Sequence, residues 1–529
     1  MKVRQTIILF VFIGTVLLFY YYWNFFSSTN YNDYVCKDCN VILISVDSLR
    51  YDHLGINGYG RNITPNLDNF AKNAVFFPNF ITQSYLTPIS EASIHTSQYP
   101  SANGFVEFNS YINPETIKLE DILKIYNYQN YAFIGSGNFI VDGTFYQQFS
   151  PSYKLYKWVP NENGFPLSKE DLNSFKNQKF FLWLALGNIH RPYGRPVVPQ
   201  KYIDMFVDRN YSGPLKDILI DQDFLVPIVN NTLKAVNGSI RIGEGEYHLT
   251  EKDKKYIIDN YDSGIKYTDD YLGSLLEEIR NDGLMENTII VILSEHGEEL
   301  GDRGMFHHGD IYDNGIHTFL AIYDPAIKRS GINIQTQVQG IDVMPTILDI
   351  LGISVPQNAQ GKSIIPLIFG NVDTSFNKYV FSERTTFPQF FYYLNVSGLD
   401  APESIETYNS TLAKFNKTDA VQDIKIIGNR SYIDDVAVRT NDWKLIYRPS
   451  YKIQMYIFEI IKDGMPTRLS EYQLFYLVND SNELNNLDGK GLGIENELKG
   501  VLLGWQKNIS SLNVNYVFNR TIIPNYTFV

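Results

Sequence analysis

The chain has 529 residues, too many for one simple core, and its 44% hydrophobic and 19% charged residues exclude a disordered or fibrous chain. Lys and Arg number 45 against 58 Asp and Glu, a net charge of −13, which excludes nucleic acid as the main partner because an acidic surface repels phosphate backbones. Only two cysteines, Cys36 and Cys39, are present, so the chain is not a disulfide-stapled scaffold.

Residues 6–23, TIILFVFIGTVLLFYYYW, are uncharged and follow Lys2 and Arg4. A run of that length is near the lower limit for a transmembrane helix, and its basic flank should stay in the cytoplasm. A cleaved signal peptide is the rival reading. Tyr20, Tyr21, Tyr22, Trp23 and Asn24 stand where small residues would mark a cleavage site. The aromatic cluster suits an interfacial belt, so a single-pass anchor over residues 1–30 is expected. Both readings place the rest of the chain outside the cytoplasm, and the anchor reading keeps it at the cell membrane. N-x-S/T sites at Asn62, Asn210, Asn237, Asn395, Asn416, Asn508 and Asn525 agree with a glycosylated exterior. Cys36-x-x-Cys39 follows, as a local disulfide or two free thiols; no second pair exists to complete a zinc site.

Residues 41–46 (VILISV) form a short continuous apolar run, the pattern of a strand buried on both faces, and run into Asp47. A helix over 66–74 follows Pro65, and 117–126 also shows helical apolar spacing. Residues 180–186 (FFLWLAL) read as a second buried strand, followed by His190. A long helix over 254–281 ends before Gly283, and a third strand over 289–293 runs into Glu295 and His296. A short helix over 343–351 carries Pro345 in its first turn. The alternation predicts a doubly wound, mainly parallel α/β sheet flanked by helices. Three strands bring carboxylates and imidazoles to one edge, and in open α/β sheets sites form outside the carboxyl ends of strands. Past residue 375 the texture changes to short antiparallel strands, at 437–439 and 444–447, with a final helix near 494–506. The expected division is a catalytic domain over 31–375 and a smaller C-terminal α+β subdomain over 376–529.

Six segments together resemble the sulfatase/alkaline-phosphatase superfamily, in that family's order. They are NVILISVDSLRYDHLGINGYG, TPISEASIHTSQYPSANG, IIVILSEHGEELGDRG, HHGDIYDNGIHTFLAIYDP, GIDVMPTILDILGI with QGKSIIPLI, and AVRTNDWKLIY. The likeness runs from about residue 40 to about residue 490, and its specificity lies in the order of the six motifs. It implies a metal-dependent ester hydrolase or transferase. It also implies site roles: Asp47, Glu295 and His296 as ligands of a divalent cation (Ca, Mn, Zn or Mg), Thr87 as nucleophile and further metal contact, and His190 and His308 as groups around the transferred centre. One imidazole ligand favours zinc or manganese over an all-oxygen site. His307 is the rival of His308, and Ser90 the understudy of Thr87. Arg50 belongs to the same loop as Asp47, as a partner of carboxylates or a structural residue.

The chain departs from the sulfatase pattern in four places. Ser48 stands where sulfatases have a second aspartate. Thr87-Pro88-Ile89-Ser90-Glu91 replaces the C-x-P-x-R or S-x-P-x-R from which formylglycine is made, and Glu91 takes the arginine's place. Glu295 is one methylene longer than the family's aspartate. Phe133-Ile134-Gly135-Ser136-Gly137-Asn138 lacks the family's lysine, leaving Asn138 as a weak substitute donor. Glu298, Glu299 and Asp302 are expected to face solvent, and Asp269 and Asp270 to be solvated or capping residues of the long helix. A threonine cannot be converted to formylglycine, but its alkoxide can attack phosphorus beside a metal. The site therefore leans toward a phosphoester or phosphodiester of a small molecule, glycan or lipid head group. The alternatives are a sulfatase proper and a catalytically decayed binding glycoprotein.

Overall fold

The computed structural model describes residues 35–510, apart from 107–109, 137–147, 161–162, 192, 195, 214, 219–238, 243–244, 304–307, 328–330, 371–374, 385–434 and 450–469. In chain order the strands of the large sheet are β1 (Asn40–Val46), β2 (Val75–Ile81), β3 (Gln129–Ser136), β4 (Leu155–Pro160) and β5 (Phe180–Leu186). A separate hairpin, β6 (Ser239–Ile242) and β7 (Gly245–His248), interrupts the series, which resumes with β8 (Thr288–Leu293), β9 (His317–Tyr323), β10 (Ile332–Asn333) and β11 (Val338–Gln339). The spatial order is β10-β2-β9-β8-β1-β5-β3-β4, with β11 also on β2. β1 lies between β5 and β8 and is parallel to both. Only β9 runs against its neighbours, β8 and β2, so the sheet is mainly parallel, as expected.

Every residue of β1 is buried because helices cover both faces. Side chains alternate along a strand. Ile42, Ile44 and Val46 pack with Leu67 and Phe70 of α1 (Pro65–Lys72) and with residues of the long helix over Glu251–Asn281. Val41 and Leu43 point the other way. They join a core that includes Ile89 and Ala92 of α2 (Thr87–Thr96), Leu123 of α3 (Leu119–Ile125) and Ile347 near the chain's short late helix. The long helix is α4 (Glu251–Asn281) and the late one α5 (Val343–Ile350). Truncating a core residue such as Leu43 to alanine should cost about 2–5 kcal/mol, the transfer term plus the cavity left behind.

Local signals set the helix limits. Thr250 and Asp253 form a reciprocal capping box that starts α4. Asp269 of α4 accepts from the backbone N–H groups of Asn66 and Leu67 and so caps α1 from outside, in line with the capping role expected of it. Asp270 pairs instead with Lys266 one turn back on its own helix. Gly264 lets α4 approach the loop after β5, since a Cβ there would lie 3.2 Å from the carbonyl oxygen of Asn188.

The second sheet is antiparallel, in the order β12 (Val380–Arg384), β13 (Asp435–Arg439), β14 (Trp443–Tyr447) and β15 (Tyr472–Tyr476). Leu498 and Leu502 of α6 (Gly493–Ser510) pack against Val436, Val438, Leu445 and Leu474 of this sheet. The predicted C-terminal strands and helix are therefore present, each a few residues longer than its apolar core suggested. Cys36 and Cys39 form a disulfide, one of the two readings left open. The expected anchor over 1–30 lies outside the described residues, among which no helix is long and apolar enough to cross a membrane.

Candidate active site

Asp47 follows the last residue of β1, and its backbone N–H continues the parallel ladder to Leu186 at 2.9 Å. The chain then turns through Ser48, a non-glycine residue at φ 61°. That turn is held from three sides. The Ser48 hydroxyl donates to Asp47 Oδ1 at 2.7 Å. The Tyr261 hydroxyl of α4 donates to the Ser48 carbonyl at 2.6 Å and accepts from the Arg50 N–H at 3.0 Å. Ser294, just past β8, accepts from the Leu49 N–H at 3.1 Å and donates to the His296 carbonyl at 2.7 Å. One hydroxyl thus ties the loop after β1 to the loop after β8. Gly297 is required there, because a Cβ would meet the Asn314 carbonyl oxygen at 2.0 Å.

This framework brings Asp47, Glu295 and His296 together, with one donor atom of each within 4.8 Å of the others. The His296 ring is oriented by its Nδ1, 2.9 Å from the Gly297 carbonyl. That contact assigns the proton to Nδ1 and turns the lone pair of Nε2 inward, the tautomer a metal ligand needs. Nε2 lies 3.4 Å from Asp47 Oδ1 and 2.9 Å from Thr87 Oγ1. Thr87 is the first residue of α2, half-buried, at a helix terminus that favours negative charge. Ser90 points elsewhere: its buried hydroxyl donates to the Ser84 carbonyl at 2.7 Å, which removes it as an alternative nucleophile.

His308 and His190 complete the constellation. Their rings meet edge to face at 5.0 Å, and the His308 ring is 4.4 Å from that of His296. His190 Nδ1 lies 2.7 Å from the Arg191 carbonyl. His308 Nδ1 lies 3.2 Å from Glu298 Oε2. Burial, then the neighbouring His296, His190 and Arg191, hold His308 well below the ordinary histidine pKa. It is therefore held in its neutral form. Arg191 supplies positive charge close by, and the sequence offered no signal for it beyond its place beside His190.

Two acids here, Glu295 and Glu91, differ electrostatically from ordinary surface carboxyls. Burial, then the charges of Asp47 and Glu91, push Glu295 well above the usual carboxylate range. Burial pushes Glu91 up to about 7 against the opposing pull of His95. Glu295 Oε2 is buried with no hydrogen-bond partner. A buried acid in that state is costly unless a cation faces it. The donor set of two carboxylates and one imidazole, with the Thr87 hydroxyl beside them, fits a divalent cation.

Of three acids predicted to face solvent, two are withdrawn from it and Asp302 stays partly exposed. Glu298 and Glu299 are fully buried, the first against His308 and the second paired with Arg303. Asp302 is paired with Arg50, which also grips Asp52 at 2.7 Å. Arg50 therefore serves neighbouring carboxylates and does not neutralise Asp47. Asn138 and His307 lie outside the described residues.

The chain is similar over much of its length to proteins of known kind. A family model described as "Sulfatase" matches residues 39–353, and one for the C-terminal part of N-sulphoglucosamine sulphohydrolase matches 301–425. An ulvan-active sulfatase of Formosa agariphila is 25% identical over 62% of this chain and 65% of its own length. An arylsulfatase of Clostridium perfringens is 25% identical over 62% of this chain and 78% of its own. Among solved structures, a phosphonate monoester hydrolase of Agrobacterium radiobacter superposes with a TM-score of 0.61 at 18% identity, over 90% of this chain and 96% of its own. That last likeness is one of fold.

Proposed function

The chain belongs to the sulfatase family of ester hydrolases, and from that premise we propose that it cleaves or transfers a phosphoester, a phosphodiester above all, with Thr87 as nucleophile. One observation carries the reading: Thr87 Oγ1 sits 2.9 Å from His296 Nε2, at the mouth of the Asp47–Glu295–His296 cluster. A divalent cation held by those three residues would lower the pKa of the Thr87 hydroxyl and polarise the ester. Thr87 Oγ1 then bonds to phosphorus as the bond to the leaving oxygen breaks, and the Thr87 proton passes to solvent. Water cleaves the phosphothreonine in a second step and regenerates the hydroxyl. His190, once protonated, can donate to the leaving oxygen. His308, neutral and braced by Glu298, suits the role of base toward the incoming water.

Purified protein should hydrolyse an aryl phosphodiester in the presence of Mn²⁺ or Zn²⁺. Thr87→Ala should abolish turnover while the metal content stays unchanged. Activity that survives this change would remove Thr87 as nucleophile. The second reading, a sulfatase proper, is favoured by the names of the relatives and opposed by Thr87 and Glu91, which cannot build the formylglycine site. Turnover of an aryl sulfate without any phosphoester would decide for it. The substrate class we infer is a glycan, small-molecule or lipid head-group ester. We place the site on the outer side of a membrane, supported by the apolar run 6–23 and the N-x-S/T sites. Protease added to intact cells should remove the chain beyond residue 30.

A further inference from the structure

Glu91 stands where the family pattern has arginine, so the charge at this position is inverted. It lies on α2 four residues after Thr87, one helical turn on, and therefore on the same face. Helical side chains lean toward the helix amino terminus, which aims Glu91 back toward Thr87. Glu91 is 1% exposed, and the neutral groups beside its carboxyl are the Ser45 hydroxyl and the Trp183 indole. The nearest group able to carry positive charge is His95, whose Nε2 is 3.7 Å away and whose Nδ1 is held by Glu120 at 2.9 Å. Two buried carboxyls thus share one imidazole, with no arginine or lysine ion pair to either among the described residues. The Ser45 hydroxyl lies next to Glu91, accepts from the Trp183 indole at 3.1 Å and keeps its own proton free to donate to the carboxyl. Ser45, on β1, and Asp47, the residue that follows the strand, are two residues apart, the spacing of one strand face. Glu91 and Glu295 are near enough to feel each other's charge.

We propose that Glu91 is a positioning carboxylate of the metal centre, holding the cation by charge from the next shell out and coupling its occupancy to the seating of the helix that carries Thr87. This rests on the metal reading above. Glu91 is not among the groups whose donor atoms cluster within 4.8 Å, so its effect comes through the field and not through a bond to the ion. With Asp47 and Glu295 it brings the buried carboxyls facing the ion to three. His95, braced by Glu120, fixes its orientation from behind.

The test is Mn²⁺ binding by isothermal titration calorimetry on the full-length protein, with thermal unfolding in EDTA and in Mn²⁺ as the second readout. Glu91→Gln keeps the shape and removes the charge; it should weaken Mn²⁺ binding by about 10–100-fold, the range for groups one shell out. Its melting temperature in EDTA should hold or rise, because an uncompensated buried charge is gone. The rise in melting temperature caused by Mn²⁺ should shrink. Glu91→Asp should recover part of the affinity. Glu120→Gln, a buried carboxyl on the far side of His95, should bind Mn²⁺ within twofold of wild type. Equal affinity of Glu91→Gln and wild type would overturn the proposal. So would equal losses in Glu91→Gln and Glu120→Gln, which would mark a packing effect. If wild type and Asp47→Asn bind Mn²⁺ equally weakly, the metal reading itself fails, and Glu91 with it.

Discussion

Asp313, which opens a short helix before β9, and Asp47, in the loop after β1, are both buried carboxyls beside the large sheet, yet their surroundings carry opposite charge. Asp313 receives Arg439 at 3.0 Å and Lys444 at 2.9 Å. Its neighbour Asp310 receives Arg448 at 2.7 Å and Arg384 at 3.4 Å, and Asp435 receives the same two arginines. These cations hold Asp310 and Asp313 below the usual carboxylate range despite burial. Asp47, Glu91 and Glu295 have no arginine or lysine ion pair among the described residues, and Glu91 and Glu295 are pushed up. Where buried acids fasten the second sheet to the loop after β8, the chain brings its own cations. At the candidate active site it leaves that charge to be met from outside.

The largest effect expected of this contrast is on stability. Arg448→Met strips cations from Asp310 and Asp435 and should cost about 3–5 kcal/mol, the usual loss when one partner of a buried pair is removed. Urea unfolding measures it, and a loss below about 1 kcal/mol would mean the cluster is not what joins the sheets. Asp47→Asn should behave in the opposite way. Its unfolding in EDTA should match or exceed wild type, while its Mn²⁺ affinity falls more than about 100-fold, beyond the range for outer-shell groups. Mn²⁺ at a hundred times its dissociation constant should stabilise wild type by about 2.7 kcal/mol and Asp47→Asn hardly at all. Scanning calorimetry with and without the ion would show equal shifts if the contrast were false.

The smallest effect concerns a carboxyl of intermediate kind. Glu383 is buried and accepts from the Ser101 hydroxyl at 2.7 Å and the Ser101 N–H at 2.9 Å, two neutral donors. Burial pushes it up to about 8. The folded chain therefore keeps a proton between pH 4.5 and 8 that the unfolded chain has lost. Stability falls as pH rises through that window, by about 1.4 kcal/mol for each unit of pKa shift. Glu383→Gln should flatten this part of the stability–pH curve; an unchanged slope would show that Glu383 is not its source.

What could be read from the sequence depended on how local the cause was. The strands ending at Asp47 and Glu295 are legible because a run buried on both faces is apolar throughout. Thr87, His190 and His308 were reached through motif order, and the structure gathers them around His296. β2 was not read as a strand, since Pro78 within VFFPNFI argues against one until the β9 pairing is known to shift register there. Glu298 and Glu299 were misread for the opposite reason. EHGEELGD is polar throughout, so its composition suggests solvent. Arg303 carries Glu299 into the interior, and Arg303 in turn donates to the Asn482 carbonyl at 2.7 Å, far along the chain. The inverted charge at Glu91 was visible as a departure, but its burial without a cation belongs to tertiary structure alone.

The central place of β1 also has a consequence for how the chain is made. Its ladder partners are β5 and β8, so the strand that carries Asp47 emerges from the ribosome early and waits for both neighbours. At about 5–20 residues per second, the wait for β8 is on the order of 10–50 seconds. Until β5 is made both edges of this apolar strand are open, and until β8 is made one still is. The site is among the last features to assemble, and synthesis of this protein should depend on holdase chaperones more than that of a chain whose central strands are neighbours in sequence.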